Sequence, residues 1–517
     1  MFIKPQLIKI NFSFQSLWPA LLLGLLGATC ANASPVATKF RQSIDGSGHM
    51  LLVPYYTAQP GYATLLNLVN TDSVHGKAVK LRFRGASNAD DVYNFTLFLA
   101  PGDVWAAEVS HNPANGLARL GSADKSCTLP AQANRDFSTA HVNPTPVATY
   151  NNPHASPAGE TLEGYVEILA MADLLPGTAV FSATQHVKGI PPAPCSNGAS
   201  TPSALAALLS ESGIAAAGLS APTTGLQANW SIFNVAEASS WSGRATAIVA
   251  VDAQNVAGSG QVVMHPQASG TPSGAIISLT TDPLLRAGSV VPQHAHLPDL
   301  STPYLAGATP EQQASQLSGL LARTSVRNEY FTDERVDAQT DWVFSLPMLR
   351  YSVAVNYATN GRAFTTLSPA YFSPVNIQPL HPGDVLQPCQ PYADYVRWDR
   401  NAWPTRKEDE LTVGSLPVLG IPICGAVSVM GINPQYDAGQ GSYISTLGAR
   451  LTFQERETSF VEDGWIEVFT PGLNNAGIPL LGAAFAKATS TNVGAGVSGN
   501  FGLTWEHSYT RAGNVVP

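Results

Sequence analysis

Three groups of residues have the types and spacing that metal binding or acid–base chemistry needs. His294-Ala295-His296, with Asp299 nearby, could present alternate side chains of an extended segment to a metal ion. Glu167 and Glu467 could form the acid and base of a glycosidase if their strands met, because that reaction uses two carboxylates roughly 5–10 Å apart. The Asp90-Asp91 pair could supply oxygen ligands to calcium.

The sequence context favours a plainer interpretation of each group. The histidines lie between two prolines in a Pro/Ser/Thr/Gly-rich connection, which predicts a solvated segment. The two glutamates alternate with apolar residues, as on the solvated face of a strand, and Asp90-Asp91 precedes a strand as a polar turn would. Motifs of common enzyme classes, such as Gly-x-Ser-x-Gly, HExxH and the P-loop, are absent from the sequence. We therefore expect no enzyme and no bound cofactor, with calcium left open.

Four cysteines follow the N-terminal segment: Cys127, Cys195, Cys389 and Cys424. An even number in an exported chain favours disulfides, and proximity in the sequence favours Cys127 with Cys195 and Cys389 with Cys424. A four-thiolate zinc site is the alternative, but the sequence contains no CxxC spacing.

Within the loop that Cys389 and Cys424 would close, the segment 394–410 carries nine charges in seventeen residues, against 12% charged residues in the whole chain. Arginines beside tryptophans and tyrosines are typical of protein contact surfaces and also of sugar-stacking platforms. A solvated loop whose aromatic residues cap the core is the third interpretation. The candidate contact residues are Tyr392, Tyr395, Arg397, Trp398, Arg400, Trp403 and Arg406.

Most of the chain alternates apolar and polar residues with the period of a β-strand. Strands are predicted at 51–56, 63–70, 78–84, 93–99, 104–105, 164–168, 179–185, 230–235, 245–251 and 341–347. Residues 128–160 predict a long surface excursion. Helices are predicted over Ser203–Leu219 and, for roughly 15 residues, after Thr309-Pro310-Glu311-Gln312, which has the form of a capping box.

The sequence predicts an all-β chain with two β-sandwich lobes, jelly-roll or immunoglobulin-like, and a few inserted helices. We divide it into domains 34–265 and 331–517, joined by a linker with a helix at 266–330. An internal echo supports related lobes, since Glu163-Gly164-Tyr165-Val166-Glu167-Ile168 recurs as Asp463-Gly464-Trp465-Ile466-Glu467-Val468. Each glycine is expected where a strand enters from a tight turn.

The N-terminal segment predicts export. Lys4 and Lys9 precede an apolar run, and Ala31-Asn32-Ala33 supplies the small residues of a signal-peptidase site, so residues 1–33 are predicted to be a signal peptide. No later stretch reaches the length of a transmembrane helix. The net charge of −9 argues against nucleic acid as a partner. We therefore expect an extracellular or cell-surface location.

Several segments together resemble a family of exported proteobacterial proteins known only as cell-surface proteins. The resemblance implies a β-rich fold and a location that is extracellular or on the outer surface of a Gram-negative bacterium rather than in the periplasm. It implies no catalytic or binding residues. The matching segments are 48–56, 63–71, 79–86, 88–92, 100–105, 163–174, 231–235, 341–347, 398–400 and 463–465.

These features favour an exported, non-catalytic structural or interaction protein of the cell surface, adhesive or self-assembling, with protein partners or copies of itself. A charged fraction of 12%, well below the roughly 25% of average proteins, makes lateral association plausible. The alternative is a secreted protein that binds glycans through Trp and Tyr or hydrolyses them with paired acids.

Overall fold

The computed structural model describes residues 36–131, 134–143, 156–192, 195, 201–258, 261–264, 298–357, 361–364, 370–378, 388–402, 404–406, 420–437, 442–456, 463–494 and 497–513. The predicted signal peptide and the His294-Ala295-His296 motif lie outside these residues. Among the described residues, no helix has both the length and the apolar character to cross a membrane. The fold is all-β, as the sequence predicts.

Thirteen strands form two antiparallel sheets in the first half of the chain. Sheet I has the order β1-β13-β2-β10-β4-β5-β8, and sheet II has the order β12-β11-β3-β6-β7-β9. The strands are β1 Lys39–Gln42, β2 Met50–Thr57, β3 Tyr62–Asn70, β4 Gly76–Gly85, β5 Asp91–Leu99, β6 Val104–His111, β7 Ala118–Gly121, β8 Cys127–Leu129, β9 Arg135–Asp136, β10 Glu163–Leu174, β11 Leu226–Asn234, β12 Ser239–Arg244 and β13 Thr246–Val251.

The second half forms two five-stranded sheets and several two-stranded ones. The strands are β14 Ala322–Arg323, β15 Ser325–Phe331, β16 Gln339–Ser345, β17 Val353–Asn356, β18 Gly361–Phe364, β19 Cys389–Ala393, β20 Tyr395–Asp399, β21 Pro404–Arg406, β22 Ile421–Cys424, β23 Val427–Ile432, β24 Gln435–Asp437, β25 Ser442–Ile444, β26 Phe453–Arg456, β27 Asp463–Phe469, β28 Ile478–Pro479, β29 Leu481–Gly494, β30 Val497–Glu506 and β31 Ser508–Thr510. Sheet III has the order β21-β20-β27-β15-β31, and sheet IV has the order β26-β23-β16-β29-β30.

The two halves repeat one strand order. The central run β13-β2-β10-β4-β5 of sheet I corresponds to β31-β15-β27-β20-β21 of sheet III, and β12-β11-β3-β6-β7 of sheet II corresponds to β30-β29-β16-β23-β26 of sheet IV. The corresponding strands also follow one another in the same order along the chain. One pairing differs, because β23 and β26 are parallel where β6 and β7 are antiparallel. The sequence echo falls on the corresponding strands β10 and β27.

The echoed glycines occupy the same position in this repeat. A Cβ on Gly164 would lie 1.7 Å from the Arg84 carbonyl oxygen of β4, and one on Gly464 would lie 2.0 Å from the Trp398 carbonyl oxygen of β20. Neither space can hold a side chain, so glycine is required where the neighbouring strand approaches. Gly164 also follows a tight turn, the 3₁₀ turn Gly159–Thr161, as we expected, and the residues before Asp463 lie outside the described ones. Close approach of the neighbouring strand explains why both positions require glycine.

Two hydrophobic clusters hold the sheets together. One joins the facing sides of sheets I and II, where the Phe95 and Trp105 rings lie 5.8 Å apart. The other joins sheets III and IV through residues such as Val326 and Trp342, and it continues onto the outer face of sheet I at Leu169. Residues Pro35–Pro517 therefore form one compact unit. The division into domains 34–265 and 331–517 stays a prediction, although β14 and most of β15 begin the second group of sheets before residue 331.

Helices are short, and the structure tests three predictions that concern them. The helix predicted from Thr309 is confirmed as Pro310–Leu321, with both hydrogen bonds of the capping box. The predicted Ser203–Leu219 helix is divided, because Ser210 is extended and caps a new helix there. The predicted strand 179–185 is wrong, since Thr178 caps a helix in its place. The helices are α1 Ala179–Thr184, α2 Ser203–Ala206, α3 Glu211–Ala216 and α4 Pro310–Leu321, with 3₁₀ turns at Gly159–Thr161, Ala207–Leu209, Glu334–Val336 and Leu473–Asn475.

Both predicted disulfides are confirmed. Cys127 pairs with Cys195, and Cys389 pairs with Cys424. The second bond joins residues that are register partners on β19 and β22. Disulfides persist in oxidising environments, so the pairs indicate a non-cytoplasmic compartment.

Candidate functional site

Where the structure describes it, the predicted contact segment contributes strands β20 and β21 to sheet III rather than a loop. Strand alternation turns Tyr395 and Arg397 inward, where they are 3% and 7% exposed, so neither can belong to a contact surface. This corrects the sequence prediction for both residues. The side chains of Tyr392 and Arg406, and all of Trp403, lie outside the described residues.

Trp398 and Arg400 remain on the outer side of the segment. Trp398 is the register partner of Trp465 on β27, and their rings are stacked with centroids 3.8 Å apart and planes 7° apart. Both indoles are partly exposed. Arg400 lies 3.8 Å from the Asp463 carboxylate at the end of the same pair of strands.

Charged residues surround the tryptophan pair on the same side of sheet III. Exposed Glu329 is opposite Trp465, and exposed Arg327 is opposite Glu467, which also accepts a 2.7 Å hydrogen bond from the Ser325 hydroxyl. Directly opposite residues of antiparallel strands share one side of a sheet. We call the surface formed by Arg327, Glu329, Trp398, Trp465 and Glu467 the tryptophan face.

The corresponding side of sheet I is covered by protein. Tyr165, which corresponds to Trp465, donates a 3.3 Å hydrogen bond to the Pro347 carbonyl oxygen. Glu167, which corresponds to Glu467, accepts a 3.0 Å bond from the Tyr351 hydroxyl. Both residues are 0% exposed, because the turn 346–352 of the second half seals them. The same structural position is thus closed in one half of the chain and open in the other.

The prediction that Glu167 lies on a solvated face is wrong. Its carboxylate is buried with Arg84, whose Nε is 3.3 Å away, and with the hydroxyls of Tyr165 and Tyr351. Burial raises the pKa of Tyr351 well above its usual range. Glu467 has separate partners on sheet III, so the structure does not bring the two glutamates together as an acid–base pair.

The calcium candidate Asp90-Asp91 is also buried and paired with arginines. Arg350 lies 3.1 Å from the Asp90 carboxylate, and Arg82 lies 3.0 Å from that of Asp91. Tyr357 donates a further hydrogen bond to Asp90. Asp90 thus pairs with a distant segment and Asp91 with the neighbouring strand β4, in place of the exposed polar turn that we predicted.

One further acidic cluster was not found from the sequence. Asp72, His75 and Asp173 place their ligand atoms within 4.8 Å of one another. However, the Lys77 ammonium is 2.6 Å from the Asp173 carboxylate, and Thr223 donates to the same carboxylate over 2.6 Å. The lysine supplies the positive charge that a metal ion would bring, so the cluster is an ion-pair network. Asp299, from the predicted histidine site, is buried and accepts hydrogen bonds from Ser301.

No protein-family model, curated protein or solved structure matches this chain. The resemblance to exported cell-surface proteins therefore stays a prediction.

Proposed function

We propose that the protein is an exported, non-catalytic interaction protein of the cell surface, and that the tryptophan face contacts a partner protein. The observation that carries the proposal is the stacked, partly exposed pair Trp398–Trp465. Monomeric proteins seldom leave two large aromatic side chains together at the surface unless the patch has a function.

The internal repeat supports a protein as the occupant. In the first half, the corresponding face is covered by a protein turn that presents the Tyr351 hydroxyl and the Pro347 carbonyl oxygen to Glu167 and Tyr165. A partner segment of similar chemistry would satisfy Glu467 and cover Trp465. The tryptophan face therefore corresponds to the side of sheet I that a protein turn covers in the first half of the chain.

The energetics of aromatic side chains favour the same conclusion. Tryptophan buries roughly 150–250 Å² of surface and is enriched among the few residues that carry most of the binding energy of an interface. Mutual stacking fixes both indoles before a partner arrives, which lowers the entropy lost on binding. Glu329 and Arg327 would form the polar rim.

A second copy of the chain is the partner to test first. Only 12% of residues are charged, so association between copies would desolvate few charges. Sedimentation velocity of the purified, disulfide-intact protein over a wide concentration range would compare the wild type with the variants Trp465→Ala and Glu329→Lys. Glu329→Lys reverses a charge on the face without removing a packed side chain. Phe501→Ala, which removes a 52% exposed aromatic residue from β30, is the matched control.

We expect the wild type and Phe501→Ala to associate equally and both tryptophan-face variants to associate about tenfold more weakly or more, as a lost hot spot of about 2 kcal/mol would cause. A strictly monomeric wild type excludes self-association and leaves another protein as the partner. Binding of a neutral glycan array that Trp398→Ala abolishes would instead favour the glycan-binding alternative and contradict protein contact.

A further inference from the structure

A cavity of about 220 Å³ lies between the two groups of sheets. Sheets I and II contribute Gln42, Trp230 and Arg244 to its lining, and the second half contributes Arg323, Glu506 and Tyr509. Val326 of β15 lines the cavity, whereas the next residue, Arg327, belongs to the tryptophan face, so strand alternation places the two sites on opposite sides of sheet III. The volume is that of about seven molecules of liquid water, which suits a small organic molecule better than a single ion.

Two arginines from different halves of the chain, Arg244 and Arg323, line the cavity, and Arg511 lies beside Tyr509 of the lining. Arg323 is 2% exposed, and its guanidinium lies 3.7 Å from the centre of the Tyr509 ring. Arg511 approaches the same ring at 5.3 Å. Among the described residues, Arg323, Arg511 and Arg244 form no ion pair with a carboxylate. Burial, with help from the Arg511 charge, lowers the pKa of Arg323 to about 10.

Two of these guanidiniums share one neutral oxygen. The Gln42 amide oxygen accepts from Arg511 over 3.2 Å, from Arg323 over 3.5 Å and from the Tyr509 hydroxyl over 3.5 Å. The remaining hydrogen bonds of Arg323 run to the carbonyl oxygens of Leu320 and Ala322, each over 3.0 Å. Guanidiniums usually pair with carboxylate, sulfate or phosphate oxygens, but no described carboxylate lies within ion-pair distance of these three arginines, although Glu506 also lines the cavity.

Two buried hydrogen-bond donors near the cavity also indicate a ligand with acceptor atoms. Trp230 is 2% exposed, lines the cavity and has an indole N–H with no hydrogen-bond partner among the described residues. The Nε of Arg511 is buried and has no partner within this part of the chain either. Buried donors are nearly always satisfied in folded proteins, so an acceptor that comes from outside the chain is the simplest explanation.

Arg244 reaches the cavity because Gly46 lacks a side chain. Gly46 has a φ of +79°, and a Cβ there would lie 2.7 Å from the Arg244 Cδ. Arg244 is exposed on β12, and Glu506 of the same lining is exposed on β30. The Glu506 carboxylate could accept hydrogen bonds from hydroxyl groups of a bound molecule.

We propose that this cavity binds a small hydroxylated organic anion, with its oxyanion group held by Arg323 and Arg244 and its hydroxyls facing Glu506. The inference goes beyond the proposed surface contact and does not depend on it. Acidic monosaccharides, whether carboxylated or sulfated, have this chemistry and suit the volume. Either a carboxylate or a sulfate group could supply the oxyanion, and a comparison of glucuronate with galactose 6-sulfate distinguishes the two.

Isothermal titration calorimetry of the full, disulfide-intact chain would test the inference with glucuronate, galactose 6-sulfate, inorganic sulfate and uncharged glucose. We expect saturable binding of one or both acidic sugars, weaker binding of sulfate and none of glucose. Arg244→Gln and Gly46→Ala should each weaken acidic-sugar binding about tenfold, which corresponds to one lost charge-assisted hydrogen bond of about 1.4 kcal/mol. Arg119→Gln, an exposed arginine of β7 outside the cavity, is the matched control and should bind as the wild type does.

Three calorimetry results would each overturn a different part of the proposal. Equal affinity for glucose and glucuronate would overturn the role of the oxyanion. Sulfate binding without acidic-sugar binding would overturn the organic ligand, and unchanged binding by Arg244→Gln would overturn the site. Trp398→Ala should leave acidic-sugar binding unchanged, so a failure here and a failure of the proposed surface contact are distinguishable.

Discussion

Neutralising two buried carboxylates should change how stability depends on pH. Asp341 accepts from the Leu447 N–H over 2.9 Å, and Glu163 accepts from the Arg450 N–H over 2.8 Å, so the two halves of the chain hold one loop, 445–451, from both sides. Glu163 is 0% exposed and Asp341 is 1% exposed. Desolvation raises the pKa of each carboxyl to about 7, against the lowering effect of these hydrogen bonds.

The direction of this pH dependence follows from the number of protons that the folded and unfolded states bind. Between the unfolded pKa values of about 4 and the folded values near 7, the folded protein retains two protons that the unfolded chain releases. Stability from these groups is therefore fully present below about pH 4 and is lost as the pH rises toward 7. Each group contributes a slope of about −1.4 kcal/mol per pH unit, or nearly −3 kcal/mol per unit together near pH 5.5.

Glu163→Gln and Asp341→Asn should each remove one of these slopes. Relative to the wild type, each variant should gain about 1.4 kcal/mol of stability per pH unit between pH 5 and pH 6.5, whatever its stability at any one pH. Urea unfolding with the disulfides intact, followed by tryptophan fluorescence at several pH values, measures this difference. Glu108→Gln, an exposed glutamate of β6, is the control. Wild-type and variant curves that run parallel across this pH range would refute the reasoning.

Three further perturbations test the fold and its ion pairs. Gly164→Ala or Gly464→Ala should lower the free energy of unfolding by about 3 kcal/mol or more, because the new Cβ meets a backbone oxygen. A melting temperature close to that of the wild type would contradict the close approach. Lys77→Met should lower the free energy of unfolding by about 3–5 kcal/mol, because Asp173 stays buried without its partner. Adding Asp173→Asn should recover much of this loss in denaturant unfolding. A double variant no more stable than Lys77→Met would contradict the ion-pair account. Replacing Cys389 and Cys424 by serine opens a loop with a sequence separation of 35 residues, and should cost about 4 kcal/mol; an unchanged unfolding midpoint would show that the bond does not constrain the unfolded chain.

Features that depend on neighbouring residues could be predicted from the sequence. Alternation located the strands at 51–56 and 63–70, which the structure extends by one residue or a few. The capping box located α4, because its two hydrogen bonds involve residues three positions apart. Short apolar runs were ambiguous, and 179–185 was predicted as a strand although periodicity cannot distinguish a buried helical turn there.

Features that depend on distant residues could not be predicted. The sequence around Glu167 predicts a surface residue, but Tyr351, 184 positions later, covers it in the structure. The sequence around Tyr395 and Arg397 predicts contact residues, but both side chains point inward from strand β20. The cavity combines residues from Gln42 to Tyr509, and no local pattern indicates that these meet. The glycine echo was the exception, because the repeat imposes the same close approach twice.

Contact between the tryptophan face and a protein at the cell surface is tested most directly by a photo-activated cross-linking amino acid at position 465, introduced in the native host, with position 501 as the exposed control. We predict protein adducts from position 465 that map by mass spectrometry to one partner segment, or to one segment of a second copy, and are absent from position 501. Equal, scattered adducts from both positions, or adducts that contain no peptide from another chain, would contradict the claim.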